Sequence, residues 1–222
     1  MRRVPAILDA ADLIRDFGAV RALRGVSLAL GPGELVGLSG PSGSGKTTLL
    51  HLLATIDTPT SGAVRLLGRE VSTLSRGERA ALRLRSVGLV FAEHNLSPVL
   101  TLAENVELPL ALAGRGDAAA RAAAALERLE IGGLGGRFPG EASSGQRQRA
   151  AVARALAGEP AVLLLDEPTA HLDSAAAAGL VGRVRELVRE RRVAALLASH
   201  DPVVLARCDR VLVLRDGALE DA

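Results

Sequence analysis

Hydrophobic positions along the chain follow two periods. Short, nearly unbroken apolar runs stand at Glu34–Leu38, Ala63–Leu67, Val87–Phe91, Ala161–Leu165, Val193–Ala198 and Val211–Leu214. Runs of that length, bounded by charges and glycines, predict buried strands. Residues 4–16 and 26–30 read as further short strands of an N-terminal sheet region, with Gly31-Pro32-Gly33 as a turn. Between the runs, Leu49–Ala54, Glu78–Arg85 and Ser174–Arg191 read as helices, the last with Asp173 or Ser174 as its N-cap. The stretch 93–157 is rich in alanine and helical in pattern, broken by Gly114-Arg115-Gly116 and by Gly132–Gly136. Strands alternating with helices predict an α/β fold with a mostly parallel sheet covered on both faces. The expected organisation is one domain over 1–222, with a core of 1–92 and 158–222 and an inserted helical lobe over 93–157.

Composition narrows the classes. The apolar fraction of 48% lies in the globular range, which excludes global disorder. No apolar run approaches the length of a membrane span, and Met1–Pro5 lacks the apolar stretch of a signal peptide. The expected location is therefore cytoplasmic, with any membrane contact made through a partner. The net charge is only +2, and both signs interleave through Arg183–Arg192. With no Trp or Tyr to stack on bases, no nucleic-acid partner is expected. Arg147 and Arg149 read as part of a solvated helix face. Cys208 is alone, which excludes a disulfide framework. Basic residues are otherwise all arginine, and Lys46 is the one lysine. Its compact ammonium suits a place between phosphates that a guanidinium does not fit.

That lysine lies in Gly40-Pro41-Ser42-Gly43-Ser44-Gly45-Lys46-Thr47, followed by Thr48, between a predicted strand and a predicted helix. The pattern is G-x-x-x-x-G-K-[ST]. Glycines let successive N–H groups turn inward into an anion nest, and the helix adds its positive end. Lys46 reaches β- and γ-phosphates in this reading, and the Thr47 hydroxyl supplies a hard oxygen for Mg²⁺. A second element, Ala161–Leu165, runs into Asp166 and Glu167. Carboxylates at the end of a buried parallel strand face the ligand crevice of an open α/β sheet. Asp166 is thus a candidate Mg²⁺ ligand and Glu167 a candidate base for the attacking water.

The order of these and further motifs resembles the ABC transporter ATPase family over essentially the whole chain. Leu163–Thr169 looks like its extended Walker B, Ala170–Asp173 like its D-loop, Ala198–Asp201 like its switch and Glu141–Leu156 like its signature segment. Within the family, Ala22–Leu28, Ile56–Gly62, Glu78–Leu82, Val87–Phe91 and Leu100–Pro109 resemble the lipoprotein-releasing and macrolide-exporter type. The resemblance implies a P-loop NTPase core with an N-terminal antiparallel β region and a helical lobe. It implies ATP and Mg²⁺, with Phe17 against adenine and His200 sensing the γ-phosphate. It also implies a head-to-tail dimer in which Ser143, Gly145 and Gln146 of one subunit meet ATP held by the other, near Asp173, and separate transmembrane permease subunits driven by closure.

Two positions depart from the family pattern. Ala92 stands where a glutamine is usual at the end of the strand leading into the lobe, with Glu93 beside it. Ala142-Ser143-Ser144-Gly145-Gln146 replaces Leu-Ser-Gly-Gly-Gln. An alanine cannot coordinate or hydrogen-bond through its side chain. Three functions fit: a transport ATPase, attenuated or not; a nucleotide-binding regulatory subunit with weak hydrolysis; and a soluble ABC ATPase outside transport.

Overall fold

In the computed structural model, which describes residues 6–220, the chain begins with a long hairpin. Leu8–Phe17 (β1) and Val20–Leu30 (β2) pair antiparallel down to Phe17 against Val20, with bulges along β1. The sequence predicts only 26–30 of β2. In its first half two arginines interrupt the apolar residues and only Leu23 is buried, so it lacks the apolar run that marks a buried strand and pairs along β1. The start of the predicted 4–16 strand, at residues 4 and 5, lies outside the described residues. Ser61–Leu66 (β4) adds to β1 and Arg69–Glu70 (β5) to β4, in the order β2-β1-β4-β5, all antiparallel.

The second sheet uses the predicted apolar runs. They are Leu35–Ser39 (β3), Val87–Val90 (β6), Val162–Asp166 (β7), Ala194–Ala198 (β8) and Arg210–Arg215 (β9), with Ala218–Leu219 (β10) at the edge. Their order is β10-β9-β3-β8-β7-β6, parallel except for the β9–β10 hairpin. Alternation along β7 and β8 sorts their side chains. Leu163, Leu165, Ala195 and Leu197 join one apolar core, while Val162, Leu164, Ala194, Leu196 and Ala198 join another. The second core lies between the two sheets and takes in Lys46–Leu53 (α1). Arg76–Ser86 (α2) contributes Leu82 to it.

The first core takes in Leu102–Leu112 (α3), Ala118–Arg128 (α4), Ser144–Ala157 (α5) and Ser174–Arg191 (α6), with Val204 from Pro202–Leu205 (α7). Small residues on α5 (Ala150, Ala151, Ala153 and Ala155) let it lie close on the sheet. At Gly88 in β6 the approach is closest, since a Cβ there would run into the Ala155 carbonyl. Arg147 and Arg149 do not sit on a free solvated face. Arg147 donates to Ala142 O at 2.6 Å and Arg149 to Leu129 O at 3.0 Å, so each satisfies carbonyls that their segments leave unpaired.

Asp209 pins the start of β3. Its carboxylate accepts from the Leu35 amide at 2.9 Å and from Arg185 and Arg189 at 2.8 and 2.7 Å. Burial pushes this carboxyl up, but the Leu35 amide and the two guanidiniums outweigh burial and hold it below its ordinary value.

Two predictions follow from this packing. Gly88→Ala destabilises the chain by about 1–3 kcal/mol in urea unfolding, the range for an overpacked core. The lowered Asp209 carboxyl contributes stability that is full above its ordinary value of 3.8 and is lost as pH falls through the folded value. Asp209→Asn therefore lowers the urea midpoint at pH 7 and narrows the gap between pH 7 and pH 3 midpoints.

Candidate active site

The carboxyl ends of β3, β7 and β8 meet at one rim. Between the end of β3 at Ser39 and the start of α1 at Lys46, residues Gly40–Gly45 form the loop. Two of its glycines are required by contact as well as by conformation. Gly40 (φ +154°) presses on the Leu214 carbonyl, and a Cβ on Gly45 (φ +104°) would lie 2.7 Å from the Ala22 carbonyl. The turn between β9 and β10 braces the loop, with the Gly217 amide on Ser44 O at 3.2 Å and the Arg24 amide on Gly217 O at 2.7 Å. The first turn of α1 has no side-chain cap and no acidic residue. Its N–H groups are left for an anion. The helix therefore begins at Lys46, earlier than the apolar pattern from Leu49 predicts. Lys46 Nζ donates to Gly40 O at 2.8 Å and Pro41 O at 3.0 Å, which places its charge at the loop's mouth.

Across the loop stand the residues of β7 and β8. Thr47 Oγ1 donates to Asp166 Oδ2 at 2.7 Å, and Asp166 is buried. Glu167 breaks the strand with φ +45°, while its amide donates to Ala198 O at 3.0 Å. A left-handed non-glycine residue costs about 1–3 kcal/mol and is kept only where its surroundings impose it. The turn aims the Glu167 carboxylate at His200, whose Nδ1 is 3.1 Å from both carboxylate oxygens. A carboxylate only accepts, so Nδ1 carries the hydrogen. The His200 ring is largely exposed, whereas the Glu167 carboxylate is mostly covered.

These groups surround a cleft of about 900 Å³. Gly40, Pro41, Ser42, Gly43, Gly45, Lys46, Thr47 and Thr48 line it, together with Asp166, Glu167 and His200. Ser44 is buried beneath the loop instead. Phe17 is half exposed at the tip of the β1–β2 hairpin, outside the cleft lining, with the Arg15 guanidinium 4.4 Å from its ring centre. The sequence reading missed Val20, Arg21, Ala22, Arg24, Asp216 and Gly217, which also line the cleft. The Asp216-Gly217 pair is a legible hairpin turn. Nothing local in the sequence places either hairpin beside the loop.

The signature residues stand elsewhere. Ser143 caps α5, its Oγ accepting from the Gln146 amide at 3.2 Å while Gln146 Oε1 accepts from the Ser143 amide at 2.9 Å. Gly145 faces Leu172, and Asp173 caps α6 by accepting from the Ala176 amide at 2.8 Å. None of Ser143, Gly145, Gln146 and Asp173 lines the phosphate-loop cleft of its own chain, and neither do Ala92 and the exposed Glu93.

The oxygen chemistry suits a small hard cation. Thr47 Oγ1 and Asp166 Oδ2 are adjacent hard donors, and no group of three or more His, Cys, Asp or Glu residues positioned to hold a metal occurs among the described residues. Mg²⁺ fits such a pair, since it takes one or two protein oxygens and completes its shell with substrate phosphates and water.

Comparison with known proteins agrees with the fold. A family profile described as ABC transporter matches residues 23–170. The lipoprotein-releasing system ATP-binding protein LolD 2 of Caulobacter vibrioides is 45% identical over 207 residues, covering 92% of this chain and 91% of its own. The macrolide export ATP-binding/permease protein MacB of Syntrophobacter fumaroxidans is 43% identical over 90% of this chain, which spans 29% of that longer protein. A dimeric, post-hydrolysis structure of the ATP-binding cassette MJ0796 bound to ADP and Pi superimposes with a TM-score of 0.89 at 34% identity, covering 96% of this chain and 97% of that one. A match to that family over 23–170 and 45% identity to a full-length ATP-binding protein settle the assignment: the chain belongs to the ABC transporter family, as an ATP-binding subunit.

Proposed function

We propose that this chain binds Mg-ATP in the phosphate-loop cleft and hydrolyses it within a head-to-tail homodimer, driving separate permease subunits in export or in extraction of lipids or lipoproteins. The observation that carries the reading is the junction of Lys46, Thr47, Asp166, Glu167 and His200 around one cleft. The loop amides and Lys46 hold the phosphates. Thr47 and Asp166 would hold Mg²⁺, which neutralises phosphate charge when bound. Glu167 accepts hydrogen from the attacking water, and His200, bonded to it through Nδ1, fixes the direction of its carboxylate. Phe17 meets the adenine at the hairpin tip on the ring face opposite Arg15.

Ser143, Gly145, Gln146 and Asp173 serve the partner subunit's nucleotide. Their position away from the chain's own cleft supports that assignment, as does the dimeric state of the related cassette. The chain works as one domain over 1–222, its lobe over 93–157 sharing an apolar core with α6 and the sheet. No described helix is long and apolar enough to cross a membrane, and the relatives are named as parts of lipoprotein-releasing and macrolide export systems. A cytoplasmic, peripheral position beneath a permease agrees with both.

A second reading, a regulatory subunit that closes on ATP with little turnover, rests on Ala92 and Ser144. Residue 144 is the first of α5 and has no left-handed backbone, so serine carries no conformational penalty there. Its effect is confined to the added Cβ and hydroxyl.

The test is Mg-dependent ATP binding and turnover by the purified chain. Lys46→Ala abolishes binding. Glu167→Gln retains binding and loses about 10²–10⁴-fold in turnover, the range for a positioned general base. Ala92→Gln with Ser144→Gly raises turnover above the parent. Turnover unchanged in that double variant removes the attenuation argument, while turnover found only there gives the regulatory reading the lead.

A further inference from the structure

The loop that follows β6 is tied to α5 at two places. Arg154, near the end of that helix, donates to Asn95 O at 2.6 Å and His94 O at 3.2 Å. At the other end of the same helix, His94 Nε2 lies 3.2 Å from Ser144 O. A carbonyl only accepts, so Nε2 carries the hydrogen and donates. The His94 ring also lies on His171, with ring centres 6.0 Å apart and planes at 28°. This is within the range of aromatic pair contacts. His171 belongs to the turn between β7 and α6, and its neighbour Leu172 packs where a Cβ on Gly145 would be, 3.4 Å away. One imidazole therefore joins three segments: the loop after β6, the first turn of α5 that carries the signature residues, and the turn that leads to Asp173.

We propose that His94 is a positioning residue for ATP hydrolysis, its imidazole clasping the loop after β6 to Ser144 and His171 so that the signature residues and Asp173 keep a fixed spacing. The inference rests on the ATPase reading above. It gives the loop a polar anchor two residues beyond Ala92, where the side chain itself has none to offer.

The clasp has a pH dependence of definite sign. The groups facing His94 are Arg147 at the start of α5, His171 on the 170–173 turn and the Ser144 carbonyl. Burial first, then Arg147 and His171, lower the His94 pKa from its ordinary 6.5 against the opposing Ser144 carbonyl. The positive end of α5 acts in the same direction. A lowered histidine contributes stability that is full above the ordinary value and is lost as pH falls through the clasped value. Acid protonation puts a cation beside Arg147 while the Nε2–H bond to Ser144 O is kept, so the clasp weakens as pH falls.

The experiment compares the full-length chain with His94→Ala and His94→Gln in ATP affinity, in kcat and KM across pH 5.5–8.5, and in deuterium uptake over 91–100 without nucleotide. His94→Ala keeps ATP affinity and KM near the parent, loses about tenfold or more in kcat at pH 8, and exchanges the loop about fivefold faster. Glutamine keeps an N–H donor without a titratable ring. His94→Gln therefore restores kcat at pH 8 and falls off less than the parent toward pH 6. Equal kcat, pH profile and uptake in parent and His94→Ala would overturn the proposal. A parent with no turnover, or one that Lys46→Ala leaves unchanged, counts against the ATPase reading alone. The uptake comparison then decides the clasp, with faster exchange in His94→Ala supporting it and equal exchange rejecting it.

Discussion

Everything at the candidate site depends on how tightly the phosphate loop is squeezed. Gly40 sits on the Leu214 carbonyl, and Gly45 lies against the Ala22 carbonyl, with no room for a side chain at either. The loop therefore takes its shape only when β9 from the end of the chain and β2 from its beginning are both in place. The Gly217 amide on Ser44 O completes that clamp. An anion nest needs its N–H groups fixed before the anion arrives, because amides that must reorganise on binding lose part of what they gain. The antiparallel sheet and the last hairpin do for the loop what its own residues cannot do.

The opposite wall is built by a different device. Asp166 is the last residue of a fully buried strand and needs no special backbone. Glu167 does, and its left-handed turn is held because its amide reaches Ala198 O on the neighbouring strand. The same neighbour, β8, leads to His200 just past its end. One strand pair thus fixes the glutamate's direction twice, through the backbone bond and through the imidazole. Parallel strands ending at one rim bring the loop, the carboxylates and the histidine together from distant parts of the chain.

Much of this was legible in the sequence, for reasons that differ by residue. The apolar runs of β3, β7 and β8 are buried on both faces, so they stand out as near-continuous hydrophobic stretches. The glycine loop and the Asp166-Glu167 pair read directly because the chemistry demands those types at fixed places. The first half of β2 did not read, because arginines interrupt its apolar residues and Leu23 alone of them is buried. The cleft walls from Arg21 to Arg24 and at Asp216 and Gly217 were also hidden, since tertiary packing alone brings them to the loop. Arg147 and Arg149 misled for the opposite reason. Charge on a helix suggests solvent, whereas here two guanidiniums satisfy carbonyls of neighbouring segments.

In the proposed dimer the signature helix serves the partner's nucleotide, and its first turn is built for that role. The first amides of a helix lack partners within it. At α5 the Gln146 amide already has Ser143 Oγ, and the Ser143 amide has Gln146 Oε1. The amides of Ser144 and Gly145 are left, beside a hydroxyl that the capping contact holds in place. A phosphate brought by the proposed partner would meet those two amides and the positive end of the helix without first having to order them. The capping box makes that helix end rigid, and the His94 clasp sets where the rigid end stands relative to the loop after β6. In the proposed dimer, geometry for the partner's nucleotide would thereby be fixed by contacts that lie within this chain.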